Sequence, residues 1–183
     1  TLNEIVRYNV LAPNYGLSFY AHDIGGFEGG IESSDLYTRF VQLGTFSPIF
    51  KFGSSSSKYY KREPWRWETD TYEITKYYLN LRQKMIPYLY NESYNYSKNG
   101  IPLIEPIYYK YPSFYDNEIY KNEYYFGESL LVAPITNKMD DVMRRTVHKF
   151  YIPEGVWYDF STGKKYPGNH KYISFYKLKD YPV

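Results

Sequence analysis

Leu17-Ser-Phe-Tyr-Ala-His-Asp-Ile-Gly-Gly-Phe27 runs from an apolar stretch into a polar pair, His22 and Asp23, then into a glycine pair and an aromatic. Leu17 to Ala21 is too short for a helix and rich in aromatics, so it reads as a buried strand. Gly25 and Gly26 permit a sharp turn, positive φ included, and close approach by a ligand. A carboxylate at the C-terminal end of a strand, presented on a glycine loop, is where α/β enzymes keep their chemistry. The same pattern also fits a polar strand end followed by an ordinary turn.

The surrounding chain supports an α/β reading. Residues 1–11 carry Leu2 and Ile5 near helical spacing and stop before Pro13. Ser33-Ser34-Asp35 offers N-caps for a helix whose apolar face holds Leu36, Phe40 and Leu43. Gly53 and Ser54 to Ser57 form a loop. Arg62-Glu-Pro-Trp65 follows, and either rims a site or packs that loop down. Asp70 and Glu73 have the spacing of a capping box, and Ile74, Tyr78, Leu81, Met85 and Tyr88 share one face. This helix should kink at Pro87 and close at Asn99-Gly100. Pro102 to Tyr108 reads as a strand with Glu105 in its C-terminal half. Strand, long helical segment and strand over 17–108 predict a βαβ-type unit with a parallel sheet. Beyond Gly127 short strands alternate with Pro/Gly turns, which predicts a meander. The domain boundary is expected there, dividing 1–127 from 128–183.

Composition narrows the function. The chain has 183 residues, 43% hydrophobic and 23% charged, the balance of a globular protein. A net charge of +2 with scattered lysines argues for neither nucleic acid nor an anionic membrane. No apolar run approaches the roughly 20 residues that span a bilayer. There is no cysteine, and His22, His148 and His170 lie far apart, so no thiolate or zinc site is expected. The 26 tyrosines suit domain contacts and half-wet surfaces, since Tyr pairs a large ring with a polar tip. Compositional bias alongside the abundant Lys and Asn is the simpler account of much of the tyrosine. The absence of cysteine fits a cytoplasmic home and does not exclude secretion.

His-Asp-Ile-Gly-Gly-Phe27 resembles the signature at the end of the seventh barrel strand in glycoside hydrolase family 31, the family of α-glucosidases and α-xylosidases. The resemblance continues through Leu36 to Phe50, Arg62-Glu-Pro-Trp65, Leu81-Arg, Ile86 to Tyr90, and Gly100-Ile-Pro-Leu. It then takes in Phe126-Gly, Leu130 to Pro134 and Ile152 to Asp159. It implies the C-terminal portion of a (β/α)8 TIM barrel followed by the beginning of an all-β sandwich domain. It implies a retaining α-glycosidase, α-glucosidase-like and working by double displacement, which needs two carboxyl groups roughly 5 Å apart. The family's nucleophile motif Trp-x-Asp-Met-Asn-Glu and acid/base motif Gly-Asp-Asn do not occur here. Both aspartates are therefore expected upstream of Thr1, and this stretch alone is expected to be inactive. The implied partners are an oligosaccharide or α-glycoside substrate and the N-terminal remainder of the same enzyme. No cofactor is implied.

By the resemblance, Asp23 hydrogen-bonds hydroxyls of the terminal sugar and Phe27 walls the pocket. His22 is a ligand contact or a histidine behind the site. Arg62 and Trp65 fall at the rim. The chain departs from the family after Phe-Ser-Pro-Ile-Phe50, where the usual Arg-x-His is Lys51-Phe52-Gly53. Gly53 removes a donor to the sugar and opens space. That leaves a member specific for an α-galactoside or N-acetylated sugar as an alternative, and a transglycosylase on the same scaffold is another. A non-catalytic carbohydrate-binding protein is the alternative of another class.

Overall fold

The computed structural model describes residues 1–183. Helix α1 (Leu2–Leu11) begins with a capping box in which Thr1 and Glu4 satisfy each other's backbone N–H groups. It buries Leu2, Val6, Asn9 and Val10. A 3-10 turn over Ala12–Tyr15, with Pro13 in its first positions, ends on Gly16 at φ 74°. The chain then runs extended, but strand β1 is Ala21–Ile24 and not the predicted Leu17–Ala21. Its partner fixes those limits. β2 (Ile49–Phe52) pairs with β1 in parallel, Ala21 opposite Ile49 and Ile24 opposite Phe52. The crossover is α2 (Ser34–Thr45), capped by Ser33 as expected.

The βαβ unit thus closes within residues 21–52, far earlier than the predicted 17–108. β2 went unread because Pro48 and Gly53 bracket only four residues, Ile-Phe-Lys-Phe. α2 is also not the one-faced helix that Leu36, Phe40 and Leu43 implied. Leu36 is exposed, while every residue from Tyr37 to Thr45 is buried, polar ones included.

The long helix predicted after residue 70 is two helices, α3 (Thr69–Lys84) and α4 (Ile86–Asn99). Pro87 does more than kink it. It lies in the first turn of α4, where its missing N–H would have had no partner anyway. The Asp70–Glu73 capping box does not form. The helix starts two residues sooner, with Glu68 at its cap and accepting from the Thr71 hydroxyl at 2.7 Å. Gly100 caps α4 at φ 71° as expected.

β3 (Ile104–Pro106) does not join β1. It pairs antiparallel with β4 (Tyr124–Phe126), which pairs antiparallel with β5 (Leu130–Val132). Residue 127 sits in the tight β4–β5 turn of this sheet. A one-turn helix α5 (Ile107–Lys110) follows β3. The last segment is nested, not a simple meander. β6 (Thr146–Ile152) pairs with β9 (His170–Tyr176), and the hairpin β7 (Val156–Tyr158)–β8 (Lys165–Pro167) lies between them in sequence.

One apolar cluster runs from Leu2 in α1 through Leu43 and Phe46 to Phe126, Val132 and Tyr181, so both parts share a core. Tyrosines stitch across it. Tyr78, Tyr88, Tyr108 and Tyr124 donate to the carbonyls of Lys179, Phe126, Val10 and Phe46, at 2.9, 2.7, 2.6 and 2.8 Å. These four tyrosines join segments 38 to 101 residues apart in sequence.

Arg39, only 2% exposed, extends the stitching from α2. It donates to Gln42 Oε1 at 2.8 Å, Asp180 O at 2.9 Å, Thr146 Oγ1 at 3.3 Å and Lys177 O at 3.4 Å. Asp35 Oδ1 stands 3.8 Å from its Nε. Burial pulls the guanidinium below its usual range, and Asp35 is the largest influence holding it charged. Gln42 adds a bond to Leu178 O at 2.8 Å.

Candidate functional site

Side chains alternate across a strand, so His22 and Ile24 face one way and Ala21 and Asp23 the other. The first pair faces α2. Ile24 is fully buried against Gly44, where an added Cβ would stand 2.6 Å from Ile24 Cδ1. His22 is buried too, its Nε2 3.1 Å from Ser47 Oγ. The single proton of that hydroxyl goes to Leu43 O at 2.7 Å. Asn9 Nδ2 donates to Ser47 Oγ at 3.2 Å. Ser47 is therefore an acceptor toward His22, which makes the imidazole the neutral Nε2–H tautomer. Burial drives its pKa down to about 4. His22, expected as a candidate sugar contact, is in the strand–helix layer, on the side away from Asp23.

Asp23 faces the open side of the β1–β2 pair. Register puts Lys51 directly opposite it, and Lys51 Nζ lies 2.9 Å from Asp23 Oδ1. That oxygen is buried and receives no well-directed hydrogen bond, so the contact is mainly Coulombic. The Asp23 side chain stays 23% exposed, and its outer carboxylate oxygen has no partner in the chain. Gly53 lies against the same carboxylate: a Cβ on it would sit 2.4 Å from Oδ1. The space expected at Gly53 is thus taken up by Asp23 and the end of Lys51.

The glycine loop behaves as its composition implies. Gly25 and Gly26 hold φ of 85° and 86°, which other residues adopt only with strain. The Gly26 N–H returns to Asp23 O at 2.8 Å. Arg62 clamps this turn. It is buried, its Nε donates to Gly26 O at 2.8 Å, and its Nη1 lies 3.3 Å from Glu32. A Cβ on Gly25 would stand 2.8 Å from Arg62 Cδ. Tyr37 donates to Arg62 O at 2.9 Å and stacks on Trp67 at 4.5 Å. Arg62 therefore packs the Gly25–Gly26 turn, not the Gly53 to Ser57 loop of the sequence reading.

Phe27 and Trp65 are exposed, 52% and 74%. Phe27 is tied by its carbonyl, which accepts from Ser55 N at 2.9 Å. Glu105 belongs elsewhere, on β3 with Lys110 at 3.7 Å. Sequence reasoning missed Lys51 and Glu32. The signal for Lys51 was a period of two back from Gly53 once β2 is known.

An apolar cavity of about 30 Å³ among Phe150, Trp157 and Tyr166 holds little more than one water and lies apart from Asp23. No group of three or more His, Cys, Asp or Glu residues converges as metal ligands do. No helix is long and apolar enough to cross a membrane.

Two family models match the chain. One describes the TIM-barrel domain of glycosyl hydrolases family 31, over residues 3–92, and the other the C-terminal domain of the same family, over residues 100–183. The chain belongs to glycoside hydrolase family 31. Among its family 31 relatives, the α-xylosidase XylQ of Lactiplantibacillus pentosus is 34% identical over 82% of this chain and 19% of its own length. An isomaltosyltransferase of Sporosarcina globispora is 29% identical over 98% of this chain and 17% of its own. A family 31 dextranase of Flavobacterium johnsoniae, solved with isomaltotriose, superposes with a TM-score of 0.85 at 27% identity, over 99% of this chain and 22% of that one. The chain spans about a fifth of the length of these relatives.

Proposed function

We propose that this chain is the C-terminal part of the catalytic barrel, with the start of the following β-sandwich domain, of a retaining α-glycosidase. The observation that carries the reading is Asp23. It lies one residue from the end of a parallel strand that runs into a clamped double-glycine turn, and presents a carboxylate oxygen that nothing in the chain satisfies. A carboxylate so placed accepts two neighbouring hydroxyls of a terminal sugar, and such contacts strengthen as the oxocarbenium-like state forms. Phe27, exposed beyond the turn, supplies an apolar wall. Trp65 is a rim residue.

The two catalytic aspartates lie, on this reading, in the N-terminal remainder, which also covers the open face of β1–β2. Leu17, Phe19 and Ile49 are exposed near that pair, as an incomplete barrel requires. The division of the chain is part of the proposal. The change from barrel to β domain runs from Gly100, where α4 is capped, to Gly127 in the β4–β5 turn. The substrate is an oligosaccharide or α-glycoside. Transfer to a second sugar is a second reading, favoured by the isomaltosyltransferase and 1,6-α-glucosyltransferase relatives from Sporosarcina globispora. Water and sugar compete for one glycosyl-enzyme intermediate, so product analysis separates the two.

The test is Asp23→Ala in the full-length polypeptide, assayed on α-linked aryl glycosides. Turnover should fall at least 100-fold, on the order of removing one well-placed transition-state contact, with far-UV circular dichroism unchanged. Near-normal turnover sinks the assignment of Asp23. A full-length sequence lacking the paired upstream aspartates would favour the carbohydrate-binding protein.

A further inference from the structure

We infer that Lys51 is a specificity-determining residue of the same site, donating directly to a sugar hydroxyl beside the one Asp23 accepts. The inference rests on the functional reading above and deepens it. Lys51 is opposite Asp23 in register, so both side chains leave the sheet on its open face. Nζ reaches Asp23 Oδ1 at 2.9 Å while the lysine side chain remains 53% exposed. An ammonium has three donors, and the ion pair with Oδ1 engages at most one of them, which leaves two for a ligand. The pair therefore offers a donor and an acceptor side by side, the complement of two vicinal hydroxyls of an uncharged pyranoside.

Gly53 is the condition for this arrangement. A Cβ there would stand 2.4 Å from Asp23 Oδ1 and 3.4 Å from Lys51 Cε. Any side chain at 53 displaces the carboxylate or the lysine. Gly53 does not leave a hole in the site. It lets Asp23 settle against the backbone and lets Lys51 bridge to it. Lysine also differs from arginine here, since its compact ammonium has no planar fork.

The experiment uses the full-length polypeptide and two substitutions, Lys51→Met and Gly53→Ala. The probes are methyl α-glucoside, α-xyloside and α-galactoside, with the monodeoxy derivatives of whichever binds. Affinity is measured by calorimetry, and kcat/KM on the matching aryl glycosides. Lys51→Met should weaken affinity and kcat/KM about 10- to 100-fold, the scale of a hydrogen bond to a charged donor. For the one monodeoxy sugar lacking the contacted hydroxyl, the loss should shrink below about threefold. Gly53→Ala should reproduce that pattern, and Lys51→Arg should restore only part of the loss.

Equal losses on every deoxy sugar, or no loss while Asp23→Ala is inactive, overturn the role of Lys51 and leave the functional reading standing. Selective binding without turnover does the reverse. It supports Lys51 and sinks the hydrolase. Binding of none of the three sugars overturns both.

Discussion

Replacing Arg39 with Met should unfasten the C-terminal strap 177–183 from α2 without unfolding the barrel part. Arg39 gives two bonds to strap carbonyls, Asp180 O and Lys177 O, and faces Asp35. Methionine fills much of the volume but leaves both carbonyls without these bonds and Asp35 without its cation. Removing one partner of a buried pair costs about 3–5 kcal/mol. At about 1.4 kcal/mol per tenfold, local opening becomes roughly 100- to 1000-fold more frequent or greater, up to the ceiling of global unfolding. Amide hydrogen exchange on the full-length polypeptide reads this locally. The relevant amides are Ala133, which donates to Pro182 O, Phe160, which donates to Val183 O, and Asp180, which donates to Lys177 O. Their protection should fall by that factor while amides in β1 and β2 hold theirs. Arg39→Lys, which keeps charge but loses the fork, should fall between. Protection within tenfold of the unsubstituted protein at all three amides would refute the claim that Arg39 secures the strap.

Two further outcomes are expected. Burial holds His22 and His148 at about 4, whereas an unfolded chain protonates them near 6.5. Folded pKa values lie below unfolded ones, so the unfolded state takes up protons first. Stability complete above about pH 6.5 should drain as pH falls toward 4, by at most about 1.4 kcal/mol per unit for each histidine. Urea midpoints from pH 7 to 4.5 should show this slope, and His22→Asn should reduce it; an unchanged slope contradicts the neutral buried imidazole. Gly25→Ala combines positive-φ strain, about 1–2 kcal/mol, with a Cβ pressed on Arg62. Sugar affinity should drop at least about tenfold, whereas Gly29→Ala, with open space around it, should lose less. Equal effects at the two glycines would mean that Arg62 does not hold the turn.

Much of this arrangement was legible from residue order. Ser33 and Gly100 mark helix ends because capping is local chemistry, readable from three or four residues. The double-glycine turn after Asp23 was legible for the same reason. The strand partners were not. β2 is four residues long, and whether Ile-Phe-Lys-Phe pairs with β1 is decided across twenty-five residues by the packing of α2. β3 looked like the parallel partner because an apolar run carries no information on direction; β4, hidden in a tyrosine-rich stretch, turned it antiparallel. Arg39 and Gln42 sat unremarked within an apparently amphipathic helix. Their importance comes from carbonyls some 140 residues away. His22 and Asp23 are neighbours with opposite fates, since strand alternation, invisible until the partner is known, sends one to the core and one to the open face.

The seam between the two parts is read mainly through main-chain oxygens. Tyr78, Tyr88, Tyr124, Gln42 and Arg39 all donate to carbonyls, and a carbonyl is the same whichever residue bears it. Substitutions along 177–180 therefore leave those acceptors in place so long as the backbone path is kept. The donors enjoy no such freedom, because each hydroxyl or guanidinium is matched to one reach. Mutational tolerance across this joint should be lopsided. A saturation library would find residues 177–180 more permissive than the five donors, while Phe126 and Tyr181 stay constrained by their buried rings.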